Sequence, residues 1–201
     1  PTDRGVRRDR RRVGRASAGR QRPSRPGYRH SFIKECAAAI PAAVRSRSNL
    51  WIRVDSAGYQ HEVFAAAEQL GGVFSVTAPQ RAGLRQRIEE LATDPTTVWT
   101  PALNTEAERG SEIAETIIEI GQRVAATRRQ VRLIVRRQPV RAGDQLSLDD
   151  LNGYRFHAIV TNLPAMLAPA TMVEAHHRQR GGIPEDTIRQ LKEDFGLCHA
   201  P

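Results

Sequence analysis

The chain has 201 residues, of which 26% are charged, and a formal net charge of +9. This length suits one ordinary domain, or one domain with an insertion. The two cysteines, Cys36 and Cys198, form no C-x-x-C pair, which argues against a disulfide framework or a structural zinc site and favours a reducing cytoplasm. No apolar run approaches the roughly 20 residues of a membrane span, so we expect no membrane partner.

The positive charge is confined to the first thirty residues. Residues 1–30 hold eleven Arg and two Asp, whereas basic and acidic side chains are equal in number over 31–201. Such a composition predicts a disordered, solvated tail, although Arg-rich segments also bind phosphate backbones. A third interpretation is a frame-shifted origin, because GC-rich DNA read out of frame yields Arg, Gly, Ala, Pro and Ser. We therefore divide the chain into this tail and a domain over 31–201.

The first predicted elements of the domain alternate between helix and strand. They are a helix over 31–44, a strand over 50–54, a helix over 59–70 and a strand over 73–77. Pro41 is expected to bend or end the first helix. Asp55 and the residues after it form a turn signal at the end of the first strand. A strand–helix–strand unit of this kind predicts a parallel α/β sheet.

After a helix predicted over 80–91, strands follow one another. They are predicted over 98–103, 112–120, 131–137 and 154–161, with glycines between them. We interpret this stretch, about 95–161, as an antiparallel β-rich insertion. Two helices are then predicted, over 166–180 and from Pro184 to about 195, since Pro suits the first position of a helix.

Two acids are candidates for metal chemistry. Asp55 ends a predicted strand and Glu185 opens the last predicted helix. Two-metal phosphoryl transfer needs carboxylates on rigid elements, so that two Mg²⁺ ions lie roughly 4 Å apart across the reacting phosphate. Each acid also has an ordinary structural interpretation. Asp55 could accept backbone hydrogen bonds in its turn, and Glu185 could form a solvated ion pair with Arg189, four residues on.

Five segments carry a resemblance to a known family. In chain order they are SFIKECAAAI, WIRVDSAGY, VRLIVRRQPV, YRFHAIVTNL and HHRQRGGIPEDTIRQLKEDFGL. Together they resemble bacterial DDE transposases of the insertion-sequence thirteen-eighty family, within the insertion-sequence-four superfamily. The resemblance covers about 31–201 and implies a partial ribonuclease-H-like α/β fold, with the β-rich insertion before the last catalytic helix.

The resemblance also implies roles for individual residues. The family's second catalytic Asp follows a short strand in an R-x-D-S-G/A context and matches Asp55. Its final Glu, followed at +7 by Lys, matches Glu185 and Lys192. These acids are implied to bind Mg²⁺ (or Mn²⁺), while the cations near them bind DNA phosphates. The family's Arg upstream of the Glu stands four residues before it; here the candidates are Arg180, five residues before, and Arg178. Arg189 shares the helix face of Glu185 and Lys192 and is the remaining phosphate-binding candidate.

The implied function is DNA transposition. The parent enzyme would cut insertion-sequence terminal inverted repeats and join them to target DNA in the bacterial cytoplasm, in association with the chromosome. A homo-oligomer of the full-length parent is a further expectation. The family's first catalytic Asp has no counterpart here, because Asp3 and Asp9 lie in Arg-rich sequence that cannot form its strand. We therefore expect an inactive, partial domain with an unpaired apolar edge on the strand before Asp55.

Other interpretations stay open. A non-catalytic DNA-binding remnant, or a small basic RNA-associated protein, would depend on residues 1–30. His176 and His177 lack a third ligand at metal-binding spacing and predict a pair on a helix surface. Trp51 and Trp99 predict packing roles.

Overall fold

The computed structural model describes residues 28–46, 49–121, 127–145 and 150–179. These residues form a mixed α/β structure with six strands in one sheet and six α-helices. The strands are β1 (Trp51–Val54), β2 (Val73–Thr77), β3 (Thr100–Pro101), β4 (Glu112–Ile120), β5 (Arg129–Pro139) and β6 (Tyr154–Thr161). The helices are α1 (Tyr28–Ala39), α2 (Ala42–Arg45), α3 (His61–Gln69), α4 (Ala82–Thr93), α5 (Thr105–Glu108) and α6 (Ala170–Arg178). Among these helices, none has the length and apolar character that crossing a membrane requires.

The sheet joins a parallel pair of strands to an antiparallel set. Its order is β1-β2-β6-β5-β4-β3; β1 and β2 are parallel, and every other neighbouring pair is antiparallel. The α3 helix crosses between β1 and β2, which confirms the predicted strand–helix–strand unit. The later strands are antiparallel, as predicted, and they continue the same sheet from β2. Within the described residues β1 pairs only with β2 and forms one edge of the sheet.

The two faces of the sheet differ in chemistry. Alternate residues of a strand point to opposite faces, so each strand contributes to both. One face is apolar and packs under α3 and α4. Its buried residues include Phe64, Phe74, Val76, Ile88, Leu133 and Val160. We call this side the apolar face.

The opposite face, which we call the polar face, lies under α6. Its apolar contacts join Val173 of α6 to Ile134 and Ile159 of the sheet. Between them lie buried polar and charged side chains, namely Ser75, Arg132, Arg136 and Thr161. The apolar face therefore supplies most of the core, and the polar face carries the hydrogen-bonding groups.

Two predicted elements differ from the structure, and one observed helix has no predicted counterpart. The strand predicted over 98–103 is limited to Thr100–Pro101, and Val98 is exposed. The helix predicted over 166–180 begins only at Ala170, because Pro169 disfavours helical backbone at the preceding residue and itself adopts extended angles at the N-cap. Helix α5 was not predicted. Pro41 does end α1, as expected, and then caps α2.

Loss of packing on the polar face should be measurable with a matched pair of substitutions. Ile134 is fully buried under α6, whereas Ile117 on β4 is 61% exposed. We expect Ile134→Ala to lower the free energy of unfolding by about 2–5 kcal/mol through the cavity it leaves. Ile117→Ala should cost less than about 1 kcal/mol, mainly through strand propensity. Urea unfolding of both variants checks this, and equal effects would show that α6 does not pack as described.

Candidate functional site

Asp55 lies at the carboxyl end of β1. Its backbone is extended, with φ −72° and ψ −175°, so the alternation of the strand continues through it. Asp55 therefore shares the polar face with Trp51 and Arg53. The side chain is exposed, and its Oδ1 accepts a hydrogen bond from the Ala57 amide at 3.0 Å. The ordinary turn interpretation of Asp55 is thus satisfied, and the carboxylate is still open to solvent.

A short 3-10 turn, Ser56–Gly58, holds Asp55 in this position. Gly58 is buried and folds back against Val54, so that a Cβ at Gly58 would lie 2.2 Å from Val54 Cγ1. Only glycine allows this close approach, because real Cβ atoms do not come so near to another side chain. The turn after β1 therefore depends on Gly58, and with it the direction in which Asp55 points.

The end of helix α6 is attached to β1. Arg53 donates from Nη1 to the His176 carbonyl at 2.5 Å, and the Trp51 ring packs on the His176 ring with centroids 4.0 Å apart. The last carbonyls of a helix have no partner within the helix, and a cation there is favourable. Arg53 thus caps α6 from the neighbouring strand. Burial and the Arg53 charge together lower the pKa of His176.

His177 connects α6 to β2. Its Nδ1 lies 3.0 Å from Ser75 Oγ and its Nε2 lies 3.0 Å from Thr77 Oγ1. The residue is only 6% exposed. The expectation that His176 and His177 form a helix-surface pair is therefore wrong, because α6 turns these residues toward the sheet. Thr77 is the last residue of β2 and, one step beyond the Val54–Val76 pair, it stands beside Asp55.

Arg178 belongs to a buried ion-pair network under α6. Its Nε lies 2.9 Å from Glu174 Oε1, and its Nη1 lies 3.8 Å from Glu106 Oε1. Arg136 of β5 binds the same two glutamates, with 3.2 Å between its Nε and Glu174 Oε1 and a second contact to Glu106 Oε2. Arg109 completes the network at 3.2 Å from Glu106. Arg178 therefore has a structural role, and its binding of DNA phosphate stays a prediction.

The other predicted site residues lie outside the described residues. They are Arg180, Glu185, Arg189 and Lys192. Asp55 is thus the one predicted metal ligand whose surroundings are described. Across 28–46, 49–121, 127–145 and 150–179, no group of three or more His, Cys, Asp or Glu side chains is arranged to hold a metal ion.

Comparison with known proteins gives no further identification. The chain matches no protein-family model. It also matches no curated protein. The resemblance to DDE transposases therefore stays a prediction from the five segments quoted above.

Two polar residues of β2, the strand next to Asp55, were missed from sequence. Ser75 and Thr77 interrupt the apolar run of β2 at alternate positions, so both point to the polar face. That interruption was a signal that one face of the strand is polar. Their partner His177 lies 100 residues after Thr77, so only the docking of α6 shows that they meet.

The buried ion pairs of Glu106 should make the free energy of unfolding depend on pH. Burial alone would raise the pKa of Glu106, but Arg136, the Ser111 hydroxyl and two further arginines outweigh it and lower the pKa below its ordinary 4.5. A lowered pKa means that the folded state binds fewer protons than the unfolded state between the two pKa values, so stability rises with pH there. The contribution of Glu106 is therefore complete above about pH 4.5 and is lost as pH falls through the lower, folded value.

We expect Glu106→Gln to flatten the acid side of the stability profile. Urea unfolding between about pH 6 and about pH 3 measures the slope that Glu106 contributes. Glu108→Gln is the matched control, since Glu108 lies on the same helix but is exposed. It should keep the slope of the unsubstituted chain. An unchanged slope in Glu106→Gln would contradict the lowered pKa.

Proposed function

We propose that this chain is part of a DDE transposase with a ribonuclease-H-like sheet, in which Asp55 and Glu185 hold Mg²⁺ (or Mn²⁺). Its reaction would be cleavage and strand transfer of DNA at insertion-sequence ends. The observation that carries the proposal is the attachment of α6 beside β1, on the face where Asp55 lies. That attachment consists of the Arg53 hydrogen bond and the Trp51 ring contact to His176.

The attachment supports a shared metal site because it brings the end of α6, which precedes Glu185 in the chain, close to β1. The two acids are 130 residues apart in sequence, but the described part of α6 ends at Gln179 close to β1. Glu185 lies only six positions after Gln179 in the sequence. Even a fully extended chain of that length reaches no further than roughly 20 Å. Glu185 is thus within reach of the edge where Asp55 is exposed.

Position in the sheet supports the same interpretation. Asp55 follows the carboxyl end of a parallel strand, which is the usual location of ligand-binding groups in α/β sheets. An exposed carboxylate there is open to a metal ion and to DNA. The β-rich insertion lies between the two acids in sequence, yet β6 pairs with β2 and brings the chain back to this edge.

Metal chemistry gives each residue a role. Bound divalent ions would supply charge stabilisation to the reacting phosphate. Asp55 and Glu185 would bind these ions through carboxylate oxygens. Arg189 and Lys192, with Arg180 or Arg178, would bind flanking phosphates and so hold the DNA in place. Lacking a counterpart of the family's first Asp, the 201-residue chain alone is expected not to cleave DNA.

A second candidate function is nucleic-acid binding without cleavage. The eleven Arg of residues 1–30 favour it, because clustered arginines bind phosphate backbones whatever the base sequence. This function would not involve Asp55. Dependence of metal binding on Asp55 therefore separates the two candidates.

We expect the chain to bind Mn²⁺ through Asp55. Asp55→Asn should weaken Mn²⁺ binding, measured by electron paramagnetic resonance of the free ion, by about tenfold or more, because it removes an anionic ligand. Asp94→Asn is the matched control. Asp94 is also exposed and accepts a hydrogen bond from the amide two residues on, at 2.8 Å, but it follows α4 and not β1. Equal affinity of the two variants would refute the metal site.

Asp55 and Glu185 should also be close in space. Ligands of one metal pair come within roughly 10 Å of each other. In a chain carrying Cys36→Ser and Cys198→Ser, a cross-linker of about that span should join Asp55→Cys to Glu185→Cys.

The control for this cross-link is Glu119→Cys paired with Glu185→Cys. Glu119 lies on β4, four strand spacings from β1, or about 19 Å. Mass spectrometry of the digested chain measures both cross-links. A stronger cross-link at Glu119 than at Asp55 would place Glu185 elsewhere and contradict the shared site.

A further inference from the structure

A chain of buried and partly buried hydrogen bonds runs across the polar face toward Asp55. Trp51 Nε1 donates to Ser75 Oγ at 3.2 Å. Ser75 Oγ lies 3.0 Å from His177 Nδ1, and His177 Nε2 lies 3.0 Å from Thr77 Oγ1. The chain begins inside β1 and ends at the last residue of β2. It therefore connects a half-buried indole to the edge of the sheet where Asp55 is exposed.

The direction of this chain follows from what each group can donate. An indole nitrogen only donates, so Ser75 Oγ must accept from Trp51. Ser75 is fully buried, and His177 Nδ1 is the only acceptor that the described residues bring to its hydroxyl hydrogen. A buried hydroxyl hydrogen without an acceptor is strongly unfavourable. Ser75 therefore donates to Nδ1, which must be unprotonated.

The same logic fixes the orientation of Thr77. A neutral imidazole that accepts at Nδ1 carries its hydrogen on Nε2. His177 thus donates to Thr77 Oγ1, which leaves the hydroxyl hydrogen of Thr77 to point elsewhere. Within the described residues no acceptor is bonded to that hydrogen. Thr77 is half-buried, so its hydroxyl hydrogen is accessible to solvent or a ligand at the end of β2. Successive hydrogen bonds also polarise one another, which makes the last hydroxyl a better donor.

We propose that Thr77 is a substrate-binding residue that donates its hydroxyl hydrogen to a phosphodiester oxygen. This inference rests on the proposed function, since the same edge carries Asp55. Thr77 and Asp55 end adjacent parallel strands on the same face, and neighbouring strands are about 4.8 Å apart. A phosphate bound to a metal at Asp55 is therefore within reach of Thr77. Ser75 and His177 act as positioning residues, because they orient Thr77 without touching the phosphate.

The tautomer of His177 tests the positioning part. Nitrogen-15 NMR of the full chain at neutral pH should show an unprotonated Nδ1 and a protonated Nε2 at His177. Ser75→Ala removes the donor to Nδ1 and should shift the tautomer balance toward the Nδ1–H form, while the far-ultraviolet circular dichroism stays unchanged. A His177 with hydrogen on Nδ1 in the unsubstituted chain would overturn the proposed direction.

Phosphate binding tests the role of Thr77 itself. The probe is a thymidine dinucleotide with one phosphodiester, in the presence of Mg²⁺, because longer DNA would also bind the Arg-rich residues 1–30. We expect Thr77→Val, which keeps the shape of the side chain, to weaken binding about tenfold. Thr77→Ser keeps the hydroxyl and should bind within about twofold of the unsubstituted chain. An NMR titration measures all three affinities.

The outcomes separate this inference from the proposed function. Thr77→Val should leave the Mn²⁺ affinity unchanged, since that affinity depends on Asp55. If Mn²⁺ binding depends on Asp55 but Thr77→Val binds the dinucleotide as well as Thr77→Ser does, the phosphate contact is wrong. The same conclusion follows if the unsubstituted chain does not bind the dinucleotide. If Thr77→Val weakens dinucleotide binding but Asp55→Asn leaves Mn²⁺ binding intact, the phosphate contact stands and the metal site fails.

Discussion

The buried guanidinium of Arg136 is the interaction on which the arrangement of the polar face depends. It binds Glu106 of α5 and Glu174 of α6, and all three side chains are almost inaccessible to solvent. A buried charge is tolerated only when it is closely paired, and removing one partner is far more unfavourable than never having the pair. Arg136 therefore joins β5, α5 and α6 into one unit. Because α6 carries His176 and His177, the contacts beside Asp55 depend on this pairing.

A second buried arginine fixes the segment that leads into α6. Arg132 donates from Nη1 to the carbonyls of Leu163 and Ala168, at 2.9 and 3.0 Å, and pairs with Glu115 at 2.7 Å. The turn between β6 and α6 is thus held from β5 below it. Arg132 and Arg136 are two positions either side of Ile134 and point to the same face. The apolar face of the sheet forms most of the core, and the charges on the polar face orient α6.

Sequence patterns predicted the parts of the fold that depend on neighbouring residues. The unit from β1 to β2 and the three long antiparallel strands after it follow from local periodicity and turn residues, and they were predicted correctly. Asp55 was correctly expected in a turn at the end of a strand. The start of α6 was wrong because Pro169 outweighs the helical pattern around Met166. The hydrogen bonds of His177 could not be predicted, because they require both the sheet register and the docking of a helix 100 residues away.

The route of the chain after β6 explains how residues so distant in sequence meet beside Asp55. Strand β6 ends at Thr161, whose hydroxyl donates to the Phe74 carbonyl of β2 at 2.6 Å. The next residue, Asn162, accepts from the Phe74 amide at 2.8 Å, so its side chain continues the pairing where the strand has stopped. The chain that leaves β2 therefore returns to β2 through β6 before α6 begins. Strand β5, which lies between β2 and β6 in sequence, supplies Arg132 and Arg136, the charges that keep α6 on the sheet. The contacts of α6 beside Asp55 therefore depend on β5 as well as on β1 and β2.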